Sequence, residues 1–305
     1  PKAPTAPTYD FIQCPETGEC CNGLESSCDL RLNETLFAMV HNAMSTEEAG
    51  DDLGIIGVEN FNHFFNLDKA LTGGYRGINL DVCLCGDQME TTFCHGVCGF
   101  GERRPAQVFL EIMSFLAAHR TEIVVLVFQF SVGDPTLASL FEMMGNVDGM
   151  VDMMYVHQQD KPWPLLRDLH AKNLRIVAFY HDAKDDCPTE ICQDKLHPYF
   201  NFTAETQFDF PDKTAIEDWD SSCKVTRGRG SSNDFFSVNN FVSPPDQNEA
   251  KKVNSRSFVQ QRLDKCSEIT GLIPNFIYVD FWSEGDLPEV VQQINMERAS
   301  SQSQS

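Results

Sequence analysis

The stretch Gly74 to Gly96, GYRGINLDVCLCGDQMETTFCHG, runs from a buried strand into a polar loop tied by cysteines and closes beside a histidine. From Arg76 to Val82, Ile78, Leu80 and Val82 alternate with Asn79 and Asp81, which predicts a strand with a carboxylate at its C-terminal end. A carboxylate buried there is costly unless a partner or a cation meets it. Further on come Cys94 and His95, on a Cys-His-Gly turn whose imidazole can face the same cavity. A purely structural reading, an aspartate capping a loop and a surface histidine, stands beside the functional one. The rest of the chain has to decide between them.

Working outward, the apolar run Leu36 to Val40 predicts a short strand that delivers His41 and Asn42 at its end. Ile123 to Phe128, IVVLVF, reads as a strand buried on both faces, with Gln129 at its end. Further strands are predicted at Met153 to Val156, at Leu174 to Tyr180 before His181 and Asp182, and at Phe200 to Phe208, which carries Glu205. Asp234 to Phe241, ending on Asn239 and Asn240, and Phe276 to Phe281, with Asp280, complete the set. Helical spacing places helices at Leu67 to Leu71, Pro105 to His119, Pro135 to Met144, Leu165 to Ala171, Ser255 to Cys266 and Pro288 to about Arg298. Strands separated by helices pair in parallel through right-handed crossovers, and a full set closes an α/β barrel with its chemistry at the C-terminal strand ends. The expected organisation is one (β/α)8 barrel domain over 31–298, a cysteine-tied lead-in over 1–30 and a polar tail over 299–305. The acidic, Gly-rich segment 46–66 is long enough to cover a site.

A chain of 305 residues with 42% hydrophobic residues can bury a large core, and no apolar run approaches the ~20 residues that span a bilayer. The net charge of -22 weighs against nucleic acid as a partner and against adsorption to anionic membranes without a bridging cation. Arg227 and Arg229 form a compact basic spot, as do Arg103 and Arg104. The 12 cysteines favour disulfides and a secreted protein, with pairings that order alone does not give. Zinc held by Cys83, Cys85, Cys94 and Cys98 is the competing reading. Asn33-Glu34-Thr35 and Asn201-Phe202-Thr203 are glycosylation acceptors in a secreted chain, with Asn201 expected to be buried. The start at Pro1 reads as a mature or truncated terminus without a visible signal peptide.

In such a barrel the strand ends gather His41, Asn42, Asn79, Asp81, Gln129, Glu205 and Asp280, and His95 joins them from its loop. Two imidazoles flanking a phosphodiester can act as general base and general acid, because an imidazole holds either protonation state near neutral pH. Charge developing on the phosphoryl oxygens needs an arginine or a metal. Asn42, Asn79, Asp81 and Gln129 offer oxygen donors of the kind Ca²⁺ or another hard divalent ion takes, and only Asp81 among them is charged. Hydrogen bonds among these amides at the barrel mouth are the structural alternative.

The blocks HNAMS from His41, GYRGINLDV leading to CHG at His95, TEIVVLVFQ, LRIVAFY and PNFIYVDF together resemble the X-domain of phosphatidylinositol-specific phospholipases C, most closely the secreted, cysteine-containing X-domain-only type. The resemblance covers about residues 30–295 and implies a distorted (β/α)8 barrel that cleaves an inositol phospholipid or related phosphodiester through a cyclic phosphate. It implies His41 and His95 as the catalytic pair, Asn42 and Asp81 as supports of a metal or the phosphate, and Asp280 as an orienting group. The chain has Asn79 and Gln129 where calcium-using members carry acidic ligands, and Asp81 where metal-free bacterial members carry arginine. A phospholipid or phosphodiester headgroup is the expected partner, met at most by peripheral membrane contact, and a monomer is expected. The rival readings are a barrel that binds an inositol, sugar or phosphate headgroup without turning it over, and a structural role outside the cell.

Overall fold

The structure, a computed structural model, describes residues 20–50, 61–99, 101–158, 161–187 and 189–302. Its frame is one curled sheet of parallel strands: β1 (Phe37–Val40), β2 (Gly77–Cys85), β4 (Val124–Phe130), β5 (Ile176–His181), β6 (Leu196–Pro198), β7 (Thr203–Thr206), β9 (Phe235–Asn239) and β10 (Pro274–Val279). Two antiparallel strands are added, β3 (Glu90–Phe93) on β2 and β8 (Val225–Arg227) on β7. The strand order is β6-β5-β4-β2-β1-β10-β9-β7-β8, so β1 lies at the middle with β2 and β10 on its flanks. Among the described residues no ladder joins β6 to β7, and the barrel stays open there. Pro198 ends β6 without an amide proton to donate, and a single helical turn, Tyr199–Phe202, carries the chain to β7.

Alternation along these strands builds two cores. Phe37, Met39, Val125, Val127, Val177, Phe179, Phe235, Phe276 and Tyr278 pack together inside the curl. Their neighbours Ala38, Val40, Ile78, Leu80, Leu126, Phe128, Ala178, Val238, Ile277 and Val279 face outward and pack with residues of the helices Pro105–Ala118, Leu137–Gly145, Arg256–Thr270 and Leu287–Gln302. The same parity sends His41, Asp81, Gln129, His181, Glu205, Asn239 and Asp280 inward at the upper end of the barrel. Gly77 belongs to this inner face, where β2 pairs it with Met39 of β1. A Cβ on it would stand 1.7 Å from Met39 Sδ. Gly77→Ala is therefore expected to cost about 1–3 kcal/mol through overpacking, read as a lower denaturant midpoint with an unchanged slope.

Several expectations from the sequence are corrected. Asp81 stands within β2 and not at its end, because the β3 hairpin pairs Val82 with Phe93 and Cys85 with Glu90 and so extends the strand. Gln129 likewise lies inside β4, which runs to Phe130. Met153–Val156 is no strand: a 3-10 turn covers Val151–Met153, and one bridge joins Met154 to Ile176. Phe200–Phe208 contains only the short β7 after a helical turn, and Asn201 on that turn is exposed. The last helix continues to Gln302, through the start of the segment read as a tail. The helices at Leu67–Thr72 and Leu166–Ala171 lie where the spacing put them.

Disulfides join Cys21–Cys28, Cys83–Cys94, Cys85–Cys98, Cys187–Cys192 and Cys223–Cys266. The four cysteines around the β2–β3 hairpin are thus paired with one another as sulfur bridges, which removes the thiolates that a zinc site needs. Cys14 and the rest of residues 1–19 lie outside the described residues, as does 51–60 of the acidic segment. The described end of the lead-in is laid against the barrel: Asn22 Oδ1 accepts from the amide of Ile123 at 2.7 Å, just before β4.

Candidate active site

A cavity of about 300 Å³ opens at the C-terminal end of the sheet, lined among others by His41, Asn42, Asn79, Asp81, His95, Gln129, His181, Glu205, Arg227 and Asn239. Of the residues expected at strand ends, His41, Asn42, Asn79, Asp81, Gln129, His181, Glu205 and Asn239 line it, whereas Asp182 and Asn240 do not and Asp280 sits behind His41. The chain turns sharply just past three of these strand ends. Asn42, Asp182 and Phe281 follow His41, His181 and Asp280, and all three have positive φ, at 49°, 62° and 46°. For a bulky residue such as Phe281 this backbone is strained, and such strain collects where a site must be held in one shape.

His41 is the most constrained of the polar groups. Its Nδ1 donates to Asp280 Oδ1 at 2.9 Å, and its ring stacks on Phe241 at 3.8 Å between centroids with 13° between planes. That leaves Nε2 as the ring nitrogen free of the carboxylate. Asp280 Oδ1 also accepts from Asn62 Nδ2 at 2.8 Å, and its main-chain carbonyl accepts from Asn254 Nδ2 at 2.8 Å. Beneath them His63 Nε2 donates to the His41 carbonyl at 2.5 Å, while its Nδ1 accepts from the Trp282 amide at 3.4 Å. Complete burial pushes His63 down to about 4, so it holds this corner as a neutral ring.

His95 reaches the cavity from the loop after β3, which Cys83–Cys94 and Cys85–Cys98 tie down on both sides. Its Nδ1 lies 3.4 Å from Ser45 Oγ. Burial lowers its pKa, and the proximity of His41 adds to that. Across the cavity, Arg227 of β8 forms an ion pair with Glu205 and lies over the rings of Phe200 and Phe208, at 4.8 and 4.5 Å from their centroids. Burial raises the pKa of Glu205, against the pull of Arg227. His181 Nδ1 bonds Asp182 Oδ2 at 2.9 Å.

Asp81 is the anomaly. It is buried, its Oδ1 has no hydrogen-bond partner, and desolvation raises its pKa to about 7, partly offset by His41. Asn79 beside it is committed on both ends of its amide: Oδ1 accepts from the Asn42 main-chain N–H at 3.1 Å, and Nδ2 donates to the Val127 carbonyl at 3.4 Å. Among the described residues no group of three or more His, Cys, Asp or Glu side chains is arranged to hold a metal ion. The donors present are one carboxylate and neutral amide oxygens.

Sequence reasoning passed over Arg227, Ser45 and Asn62 as site residues. Arg227 was visible as a basic spot in an acidic chain, but the β8 hairpin that turns it inward was not. Ser45 and Asn62 carried no signal, since what brings them to His95 and Asp280 is tertiary contact.

With this geometry in view, comparison with known proteins is decisive. The family described as PI-PLC X 1 matches residues 54–295. The chain belongs to the PI-PLC X family. It is 24% identical over 292 residues to the PI-PLC X domain-containing protein 1 of Arthroderma benhamiae, covering 90% of this chain and 89% of that one. Among solved structures it resembles the phosphatidylinositol-specific phospholipase C from Listeria monocytogenes, with TM-score 0.58, 14% identity and coverage of 94% of this chain and 97% of that one. A pentafluoro-Phe variant of the Staphylococcus aureus phosphatidylinositol-specific phospholipase C gives TM-score 0.60 at 14% identity, covering 88% and 94%. At such identities the structural likeness establishes the α/β barrel fold of this PI-PLC X chain; its chemistry has to be argued from the cavity.

Proposed function

We propose that this PI-PLC X protein is a phosphodiesterase that cleaves an inositol phospholipid or a related phosphodiester by intramolecular attack of a headgroup hydroxyl. The observation that carries the reading is the His41–Asp280 pair facing the same cavity as His95. With Nδ1 bound to Asp280, His41 accepts the hydroxyl proton at Nε2 as the oxygen attacks phosphorus. His95 gives a proton to the departing alcohol oxygen as its bond to phosphorus breaks, so a cyclic phosphate and a neutral alcohol leave, and water later restores both protonation states. Asp280 stabilises the imidazolium that forms on His41. Arg227 faces the substrate side of the cavity, held in place by Glu205 and by the rings of Phe200 and Phe208.

The donor set also fits a hard divalent ion such as Ca²⁺. The unpartnered buried oxygen of Asp81 would supply the charge, with Asn42, Asn79 and Gln129 as neutral oxygen neighbours. When bound, such an ion would withdraw charge from the phosphoryl oxygens. A secreted protein is supported by the disulfides, five of them among the described residues, where no helix is long and apolar enough to cross a membrane. In that setting the exposed Asn201 and the half-buried Asn33 become candidate glycosylation sites, membrane contact is peripheral, and the protein acts as a monomer.

The experiment is hydrolysis of phosphatidylinositol with detection of cyclic inositol phosphate, first in chelator and then with Ca²⁺ or Mg²⁺. Cyclic product is expected, with a higher rate in the metal. Folded, disulfide-intact protein that binds inositol phosphate yet yields no product under any condition would favour a headgroup-binding barrel. The neutralisation of Arg227 by Glu205 is the observation on that side.

A further inference from the structure

The two imidazoles of the cavity are held differently. His41 leans on a carboxylate, whereas the polar contact at the Nδ1 of His95 is a hydroxyl, Ser45 Oγ, at 3.4 Å. Ser45 is fully buried, and its Oγ accepts from the Asn62 main-chain N–H at 3.3 Å. The side chain of the same Asn62, also fully buried, donates to Asp280 Oδ1 at 2.8 Å. A continuous series of contacts therefore runs from His41 through Asp280, Asn62 and Ser45 to His95. The loop is fixed from its other side as well, because the Asn62 carbonyl accepts from the Phe281 amide at 2.7 Å and its amide also reaches the Ser45 carbonyl at 3.1 Å. Gly101 closes over the far end. Its φ is +58°, and a Cβ there would lie 3.1 Å from Ser45 Cα and 3.2 Å from His95 Cβ.

We infer that Ser45 is the positioning residue of His95, and that Asn62 ties it to Asp280, the positioning residue of His41. The inference rests on the assignment of His41 and His95 as the proton-transfer pair. By accepting from Nδ1–H, Ser45 Oγ keeps the protonated nitrogen of His95 against the protein and leaves Nε2 to face the substrate, in both the neutral and the cationic ring. A hydroxyl stabilises an imidazolium less than a carboxylate does. This asymmetry suits one ring to accept and the other to donate.

The test uses the full chain labelled with ¹⁵N-histidine. In the wild type, His95 is expected as the Nδ1–H tautomer, and in Ser45→Ala its Nδ1 and Nε2 signals should move toward a tautomer mixture. Gly101→Ala, which presses on both residues, should perturb the same signals if Ser45→Ala folds poorly. In parallel, Ser45→Ala should lower kcat on phosphatidylinositol by about tenfold or more with KM nearly constant, and the loss should shrink on an inositol nitrophenyl phosphodiester, whose leaving group needs little protonation. Asn62→Ala, acting on the His41 side, should lose activity equally on both substrates. A folded Ser45→Ala protein with an unchanged His95 tautomer overturns the inference, as does a loss of equal size on both substrates. A wild type inactive on both esters would sink the phosphodiesterase reading, and the tautomer measurement would still decide the role of Ser45.

Discussion

His41→Ala is expected to lower kcat on phosphatidylinositol by about two to four orders of magnitude, the usual span for loss of a positioned general base. KM should change little, because the ring meets the reacting hydroxyl and the bulk of the headgroup rests elsewhere in the cavity. Asp280→Asn separates geometry from charge. The amide oxygen can still accept from His41 Nδ1 and from Asn62 Nδ2, the two bonds now made at 2.9 and 2.8 Å, so the ring stays in place. What disappears is the negative charge hydrogen-bonded to His41 Nδ1, which stabilises the imidazolium. A loss of about a hundredfold in kcat is expected for Asp280→Asn, with the thermal midpoint nearly preserved. Steady-state kinetics on both variants decides the matter. Full activity in His41→Ala would take His41 out of the chemistry, and full activity in Asp280→Asn would take the Asp280 charge out of it.

Much of this arrangement was legible in the sequence because it follows from the two-residue period of a strand. Once Phe37, Met39 and His41 share a face, the apolar pattern that buries Phe37 and Met39 must bring His41 to the mouth, and the same parity carries Tyr278 to Asp280. The long, β-branched strands β4 and β5 were equally readable. What escaped was set by contacts between distant segments. The β3 hairpin depends on two disulfides whose pairing order alone does not give, and it shifts Asp81 from the end of its strand to the middle. Short strands such as β6 and β8 carry too few residues to show a period, so the sequence shows Arg227 only as part of a basic spot with Arg229 and leaves its place in the cavity lining unseen. Ser45 and Asn62 matter only because they meet each other and the end of β10 across the fold, and no local pattern encodes that.

Asp81→Asn is expected to stabilise the protein at pH 8 by up to about 4 kcal/mol and to leave it nearly unchanged at pH 4. The carboxyl is pushed up from 3.8 to about 7 by desolvation, so the folded state holds this proton more tightly than the unfolded chain does. Its contribution is therefore harmless below the unfolded pKa near 3.8. It turns increasingly destabilising as pH rises through the interval to about 7, and is constant above that. An amide carries no such cost. Retention of a carboxylate at this cost points to a counter-charge during function, and a divalent cation is the partner its unbonded oxygen would accept. If so, Ca²⁺ should raise the thermal midpoint of the wild type at pH 8, have much less effect at pH 5 where the carboxyl is protonated, and have none on Asp81→Asn. The same substitution should abolish any metal stimulation of hydrolysis while producing the more stable protein. Calorimetry at the two pH values, with and without Ca²⁺, measures all of these terms without relying on turnover. A wild type and an Asp81→Asn variant with the same midpoint at pH 8 would mean that Asp81 is already neutralised within the fold and does not serve as a cation ligand.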